Sequence, residues 1–334
     1  ESLARRADVS AVVALVRAPG VEAAAERLRA TCARRAIDGD ADFEAWFAKV
    51  VPLPGDVSKE AFGLSESEYA RLACSVHSVV HAAAEVNMLK PAAALAPTNV
   101  GGTSHVLALA ALANMPVLFT STILPLDGAK PTGYRQSKGA AEALCVEARD
   151  KFGVPSAVLQ LGDIGIGRSS SRRALPDEDY VVIILRACIA LGRFPLAPWS
   201  VSIMPVNQCA DMIAGIVLEA AASRFSSEPR ETKGNLVEWN TLCEWLLPAL
   251  PALAPCSLDE WKADIAYVAE FGEPTHSSRA VASAKRMVML LPAMEQEFSA
   301  EDRRRQQGEG TNGDLYIDQE WGARFGAALA AEAE

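Results

Sequence analysis

Short, nearly continuous apolar runs alternate along this chain with longer stretches in which apolar residues recur every three or four positions. Ala11–Val16, Lys49–Leu53, Ser75–His81, Pro116–Thr120 and Ser156–Leu161 have the pattern of strands buried on both faces of a parallel sheet. Between the first two, Val21, Ala25, Leu28 and Cys32 fall on one face of a predicted helix whose basic end, Arg34 and Arg35, suits the negative pole of the helix dipole. Ser65 and Glu68 read as a capping box that opens a helix over Ser65–Leu72. Thr98–Ala113 and Gln136–Lys151 predict longer helices. Strands alternating with helices in this way predict an α/β domain around a parallel, doubly wound sheet.

The pattern then changes. Asp177–Leu191 predicts a helix, Trp199–Val206 an extended piece and Ala210–Ala222 another helix. From Ser226 onward the chain is rich in Trp, Pro and Leu and mostly helical in period. Trp239, Trp245, Leu246, Leu250 and Trp261 predict the core of a smaller second domain; the alternative use of such a cluster is as a wall for an apolar ligand or a docking face. Glu301–Asp314 is polar and contains glycine, which predicts a mobile loop with Arg303–Arg305 as a solvated charge run, and Gln319–Ala330 predicts a terminal helix. The expected division is a parallel-sheet domain over 1–165 and a second region over 166–300 that returns to the sheet near 199–222. A polar loop and helix follow over 301–334.

Composition narrows the function classes. Half of the 334 residues are hydrophobic, which excludes a disordered chain. Lys plus Arg number 32 against 42 Asp plus Glu, a net charge of −10 that argues against a general binder of nucleic acid or of anionic membranes. The seven cysteines include no Cys-x-x-Cys pair and read as buried thiols of a reducing, cytoplasmic compartment. No apolar stretch reaches the ~18 residues of a membrane span.

The candidate chemistry centres on Tyr134-Arg135-Gln136-Ser137-Lys138. A spacing of four on a helix puts Tyr134 and Lys138 on one face. A free tyrosine titrates near ~10, and a neighbouring ammonium is expected to favour the phenolate and bring Tyr134 toward a useful acid–base range. Thr120-Ser121-Thr122 sits at the C-terminal end of a predicted strand, the edge at which open parallel sheets bind ligands. A hydroxyl there can donate to a carbonyl oxygen as charge develops on it. His77 and His81 are four apart but lie on a predicted strand with no further ligand at metal spacing, so no metal site is expected. His105 and His276 have no Ser–Asp framework of a triad around them.

With these residues the chain resembles the extended short-chain dehydrogenase/reductase superfamily. Within it, the chain is most similar to the thioester reductase domains that terminate nonribosomal peptide synthetases, polyketide synthases and carboxylic acid reductases. The likeness covers about Leu3 to Ala222 and rests on an ordered set of segments. The first are Leu15-Val16-Arg17-Ala18 with Glu26-Arg27-Leu28, Pro54-Gly55-Asp56-Val57-Ser58, Gly63-Leu64-Ser65, and Val80-His81-Ala82-Ala83-Ala84-Glu85-Val86-Asn87. Asn99-Val100-Gly101-Gly102-Thr103, Ser121-Thr122, Gly133-Tyr134-x-x-Ser137-Lys138, Leu191-Gly192-x-x-Pro195 and Met204-Pro205-Val206 follow.

The resemblance implies a Rossmann-like sheet with a smaller, mainly helical C-terminal domain, and a catalytic set of Thr122, Tyr134 and Lys138. It implies NADPH as cofactor, with Arg17 on the 2′-phosphate, Asp56 and Val57 beside the adenine, the backbone of Ala82, Ala83 and Ala84 lining the cleft, and Lys138 on the ribose. The implied partner is a phosphopantetheinyl carrier-protein domain with its acyl or peptidyl chain, and the implied reaction reduces that thioester to an aldehyde or on to an alcohol. A fatty acyl-CoA reductase, another extended reductase on a free substrate, and a non-catalytic dinucleotide-sensing or scaffold module are the alternatives.

The sequence also departs from the family. The opening strand and Gly-rich phosphate loop are not found, and Ser2–Asp8 looks like the end of the helix that would follow them. The expectation is therefore a sheet that lacks its first, central strand. Ala82 stands where the family has Asn, Gln160-Leu161-Gly162 where many members have Arg-Pro-Gly, and Ser169–Ala174 replaces a segment tied to substrate recognition.

Overall fold

The computed structural model describes residues 1–34, 39–122, 132–167, 175, 179–223, 230–232, 235–272, 278–307 and 317–333. In chain order the elements are β1 (Val12–Val16), α1 (Val21–Arg34), α2 (Phe43–Phe47), β2 (Val50–Pro54), α3 (Glu66–Ser75), β3 (Val79–His81), α4 (Ala92–Ala96), α5 (Gly102–Ala113), β4 (Val117–Thr122), α6 (Gly133–Phe152) and β5 (Ser156–Leu161). They continue with β6 (Asp163–Gly165), α7 (Tyr180–Leu191), β7 (Arg193–Leu196), β8 (Ser200–Pro205), α8 (Val206–Ser223), β9 (Arg230–Thr232), β10 (Asn235–Glu238), α9 (Trp239–Leu246), β11 (Ala254–Ser257), α10 (Leu258–Glu270), α11 (Ser278–Gln307) and α12 (Gln319–Ala333). No helix among the described residues is long and apolar enough to cross a membrane.

The described residues within 1–124, 131–161 and 207–232 form one compact unit. It holds two parallel sheets, the pair β1-β2 and the four-stranded β3-β4-β5-β9. Both are Rossmann-like in build, strand followed by helix. β4 is paired along both edges, Phe119 opposite His81 on one side and Val158 on the other. Val117, Phe119 and Val158 pack with Val106, Leu109 and Ala110 of α5 and Ala141, Cys145 and Ala148 of α6 into one core. Among the described residues β1 pairs only with β2 and β3 only with β4, and no strand joins the two sheets. The family's first, central strand, expected to be missing, is not among the described elements.

Several local readings change. The run Ser75–His81 is not one strand: Ser75 closes α3, whose Ser65–Glu68 capping box is formed, and only Val79–His81 pairs with β4. The helix expected from Thr98 begins at Ala92 and passes through a π-helical turn over Pro97–Gly101, because Pro97 has no N–H to give to the carbonyl four residues back.

The described residues within 162–206 and 233–334 form the second unit. Its sheets are β10-β8-β6 and β11-β7, and its bulk is helical. Trp239, Leu246, Leu250 and Trp261 are buried there, with Trp239 Nε1 donating to Pro195 O at 2.9 Å and Trp199 packed edge-on to Trp239 at 5.7 Å. Gly322 is needed where α12 meets Trp245, since a Cβ would lie 2.4 Å from that of the tryptophan. The loop expected over Glu301–Asp314 is corrected in its first half: Glu301–Gln307 extends α11, Glu, Arg and Gln being good helix formers. Residues 308–314 and the Ser169–Ala174 segment lie outside the described residues.

Candidate functional site

All nine sequence-predicted site residues lie in the first unit, seven at or just after the C-terminal ends of its strands and Tyr134 and Lys138 on α6. Arg17 follows β1 and Asp56 follows β2, and the structure brings them together as an ion pair, Arg17 Nε to Asp56 Oδ2 at 3.1 Å. The Arg17 side chain is 63% exposed. Arg27 of α1 donates to the Arg17 carbonyl at 2.6 Å, so a second cation stands beside the first. Asp56 also accepts from Ser58 Oγ at 2.7 Å and Ser58 N at 2.9 Å. The Ser58 hydroxyl first, then its N–H and the Arg17 charge, hold the Asp56 carboxyl below its ordinary range against the opposing effect of burial.

Val57 is buried against α5. Its carbonyl accepts from His105 Nδ1 at 2.9 Å, and Gly102 lets the helix approach, for a Cβ there would meet Val57 at 3.1 Å. Ala82 and Ala83 are exposed and Ala84 half-buried in the irregular stretch that follows β3. Thr122 ends β4, half-buried.

Tyr134 and Lys138 lie on the first turns of α6, which Thr132 caps by accepting from Arg135 N. Lys138 is buried; its Nζ donates to Thr120 O at 2.6 Å and sits 4.0 Å from the centre of the Phe119 ring. That bond pins the Tyr134–Lys138 turn to the end of β4, two residues before Thr122. Burial pulls Lys138 down to about 8. Burial also pushes Tyr134 up to about 12, and the cation that opposes this is Arg135. The expectation that Lys138 draws Tyr134 toward the phenolate is therefore not met: in this apolar setting the tyrosine holds its proton more firmly.

A network absent from the sequence reading joins the β3 loop to this helix. Asn99, buried in the π turn, accepts from Glu85 N at 2.7 Å and donates to Glu85 O at 3.1 Å and to Ser137 Oγ at 2.9 Å. Ser137 Oγ donates to Tyr134 O at 2.7 Å. Thr103 Oγ1 gives its one proton to Asn99 O at 2.7 Å, so at 3.0 Å it must accept from His81 Nε2, which fixes the histidine tautomer. Burial first, and the Lys138 charge second, push His81 down to about 4, so it is neutral. Asn99 and Ser137 stand in the segments Asn99-Val100-Gly101-Gly102-Thr103 and Gly133-Tyr134-x-x-Ser137-Lys138. A buried asparagine beside a glycine pair in a helix was the available signal; its partners lie 14 and 38 residues away in sequence.

Gly133 has a spatial reason to be glycine. A Cβ there would lie 2.2 Å from Lys90 O and 2.6 Å from Ala92 N, so α6 starts in backbone contact with the segment before α4.

The chain matches the NAD-binding family described as Male sterility protein over residues 1–131 and 124–213. It is 34% identical over 253 residues to the L-2-aminoadipate reductase large subunit of Penicillium chrysogenum, covering 66% of this chain and 17% of that protein. It is 32% identical over 240 residues to a glycine betaine reductase of Emericella nidulans, covering 64% of this chain and 18% of the relative. The chain thus spans less than a fifth of the length of these relatives. The terminal R domain of the myxalamid PKS-NRPS biosynthetic pathway superposes with a TM-score of 0.78 at 21% identity, over 99% of this chain and 86% of that one. This chain's fold is accordingly that of the terminal reductase domains of peptide and polyketide synthetases, and the chain belongs to the Male sterility family of NAD-binding domains.

Proposed function

We propose that this chain uses NADPH to reduce a carrier-bound acyl or peptidyl thioester to an aldehyde, in the cytoplasm, as the releasing domain of a longer synthetase. The observation that carries this reading is the seating of the buried Lys138 ammonium on the Thr120 carbonyl, which fixes the Tyr134 turn beside Thr122 at the ligand-binding edge of the sheet.

The residues at the strand ends fit a phosphorylated dinucleotide. Arg17 engages Asp56 through Nε and is largely exposed, and Arg27 stands beside it, a donor set suited to a 2′-phosphate. Asp56 and Val57 would flank the adenine, the backbone of Ala82–Ala84 would line the cleft, and Lys138 would hold the ribose. When bound, the reduced nicotinamide supplies the hydride.

The chain's own groups manage the charge and the proton. As the thioester carbonyl carbon gains the hydride, its oxygen becomes anionic, and the hydroxyls of Thr122 and Tyr134 donate to it. A tyrosine held near 12 is fully protonated at neutral pH, as a proton donor must be. Tyr134 gives that proton to the oxygen, and the Lys138 ammonium stabilises the phenolate left behind. The hemithioacetal then collapses: its hydroxyl proton leaves, the C–S bond breaks, the phosphopantetheine thiol takes a proton and the aldehyde departs. The carrier-protein partner is supported by the likeness to the terminal R domain of a PKS-NRPS pathway.

The test is NADPH oxidation with an acyl-phosphopantetheinyl carrier as substrate. Tyr134→Phe should keep NADPH binding and lose the rate by about 10²-fold or more, the loss expected on deleting a positioned acid. Full activity in that variant would refute the assignment.

A further inference from the structure

One turn beyond Lys138, α6 carries a carboxylate for which the reaction above has no use. Glu142 is half-buried, next to the buried Ala141 and one turn before the buried Cys145, on the side of the helix packed toward β4 and β5. Both of its oxygens accept from Gln160 Nε2 on β5, at 3.1 and 2.9 Å. Ser121 on β4 is a further polar neighbour of the carboxylate. The nature of the partner decides what the carboxylate can do. An arginine at position 160 would neutralise Glu142; a glutamine fixes it and leaves its charge to act elsewhere. The cation it acts on is Lys138, four residues earlier on the same face.

We propose that Glu142, held by Gln160, is a positioning residue that keeps Lys138 protonated and seated on the Thr120 carbonyl, and so sets the alkaline limit of NADPH binding. The cofactor half of this inference rests on Lys138 holding the ribose, as in the function proposed above.

The surroundings leave Glu142 as the anion in charge. Burial draws Lys138 down, and Glu142 first, then Cys145, oppose it. Cys145 is itself pushed up to about 12, so it is a neutral thiol at working pH. Tyr134 on α6 is protonated and His81 on β3 is neutral. β4 offers a carbonyl and a ring, β5 offers Gln160, and the next cation on α6, Arg149, acts on Cys145. The π turn and α4 contain no titratable side chain, and the only one in α5 is His105, bonded to Val57. The influence is mutual: burial raises Glu142, and Ser121, Gln160 and Lys138 pull it back.

The experiment compares wild type, Glu142→Gln, Lys138→Met and the double variant. The first readout is urea unfolding against pH. Lys138 titrates near 8 in the folded chain against an ordinary 10.5, so between these values the unfolded chain binds more protons and stability rises with pH. In Glu142→Gln that rise should begin about one pH unit lower, and with Lys138→Met in the background the shift should vanish. The second readout is NADPH affinity by fluorescence titration between about pH 6.5 and 9.5. Glu142→Gln should lose affinity about one unit earlier, roughly fivefold weaker binding at pH 8. Gln160→Arg, which neutralises Glu142 without removing it, should move the profile the same way. An unshifted profile in Glu142→Gln, or a shift that survives Lys138→Met, would overturn the inference while wild-type NADPH binding stands. Failure of the wild type to bind NADPH at any pH would overturn the functional reading and the cofactor half together. The stability cycle would still report on the Glu142–Lys138 coupling itself.

Discussion

Two parallel strand pairs of the same unit meet opposite fates. β1 reads Val-Val-Ala-Leu-Val, wholly apolar, yet Val13 is 37% and Leu15 36% exposed, and Val51 on β2 is 47% exposed. β4 reads Val-Leu-Phe-Thr-Ser-Thr, half polar, and no residue of it is exposed. The difference lies in the neighbours. β4 has a strand on each edge and α5 and α6 packed on it. Among the described residues β1 has one strand beside it, and Val12 and Val50 on one face are covered by Phe43, Trp46 and Phe47 while the alternate residues stay open. Hydrophobicity makes a strand eligible for burial; pairing on both edges and covering on both faces accomplish it. The site follows the same division, an exposed cation at the end of β1 and a buried one at the end of β4.

The largest test of this contrast is a matched truncation. Leu159 on β5 is fully buried, and Leu159→Ala should cost about 2–5 kcal/mol of stability. Val13→Ala should cost about 1 kcal/mol or less, because its side chain is already partly in water. Urea unfolding of both variants decides it, and equal losses would mean that the β1–β2 pair is covered in solution.

How much was legible follows from the same physics. β1, β2, β4 and β5 appear as apolar runs in the sequence whether or not the fold covers them, so their places were readable to within two residues and their exposure was not. Tyr134 and Lys138 were readable because one helix fixes their spacing. The break at Ser75 was missed because the residues around it suit a strand, while the Ser65–Glu68 cap and the turns it starts carry the helix through. Asn99–Ser137 and Glu142–Gln160 are pairs between elements, set by how α6 lies against its neighbours, and no local spacing encodes them. Only the oddity of Gln160 showed, and its partner did not. The proton affinity of Tyr134 was misjudged because a motif gives the cation and omits the burial.

A smaller effect separates two glycines at the starts of helices. Gly133→Ala must push α6 away from Lys90 and Ala92 backbone atoms, which should cost about 1–3 kcal/mol and, by moving Tyr134, lower the rate of NADPH oxidation. Gly20, just after β1, has only the far end of the Glu22 side chain near, at 3.9 Å, and Gly20→Ala should change stability by about 0.5 kcal/mol or less. Thermal melts together with the carrier-thioester assay check both. A Gly133→Ala protein with unchanged melting and rate would show that the α6 start is free to shift.

The smallest effect on stability, and the most informative about the open end of β1, belongs to Arg17. Its pair with Asp56 is solvent-exposed on the arginine side, so Arg17→Ala should alter stability by about 1 kcal/mol or less, and less again at high salt. Asp56 keeps its Ser58 bonds in that variant, so the turn after β2 should persist. The consequence should fall on the cofactor instead. With the guanidinium present, NADPH should bind about tenfold more tightly than NADH, a difference of about 1.4 kcal/mol that one charge-assisted phosphate contact supplies. Arg17→Ala should bring the two affinities together by weakening NADPH and leaving NADH alone, as fluorescence titration of both cofactors would show. Arg27→Ala should give a partial version of the same change, because Arg27 reaches the region through the Arg17 carbonyl. If the wild-type chain binds both cofactors equally, the exposed cations at the end of β1 do not read the 2′-phosphate, and the contrast between the two strand ends is one of packing alone.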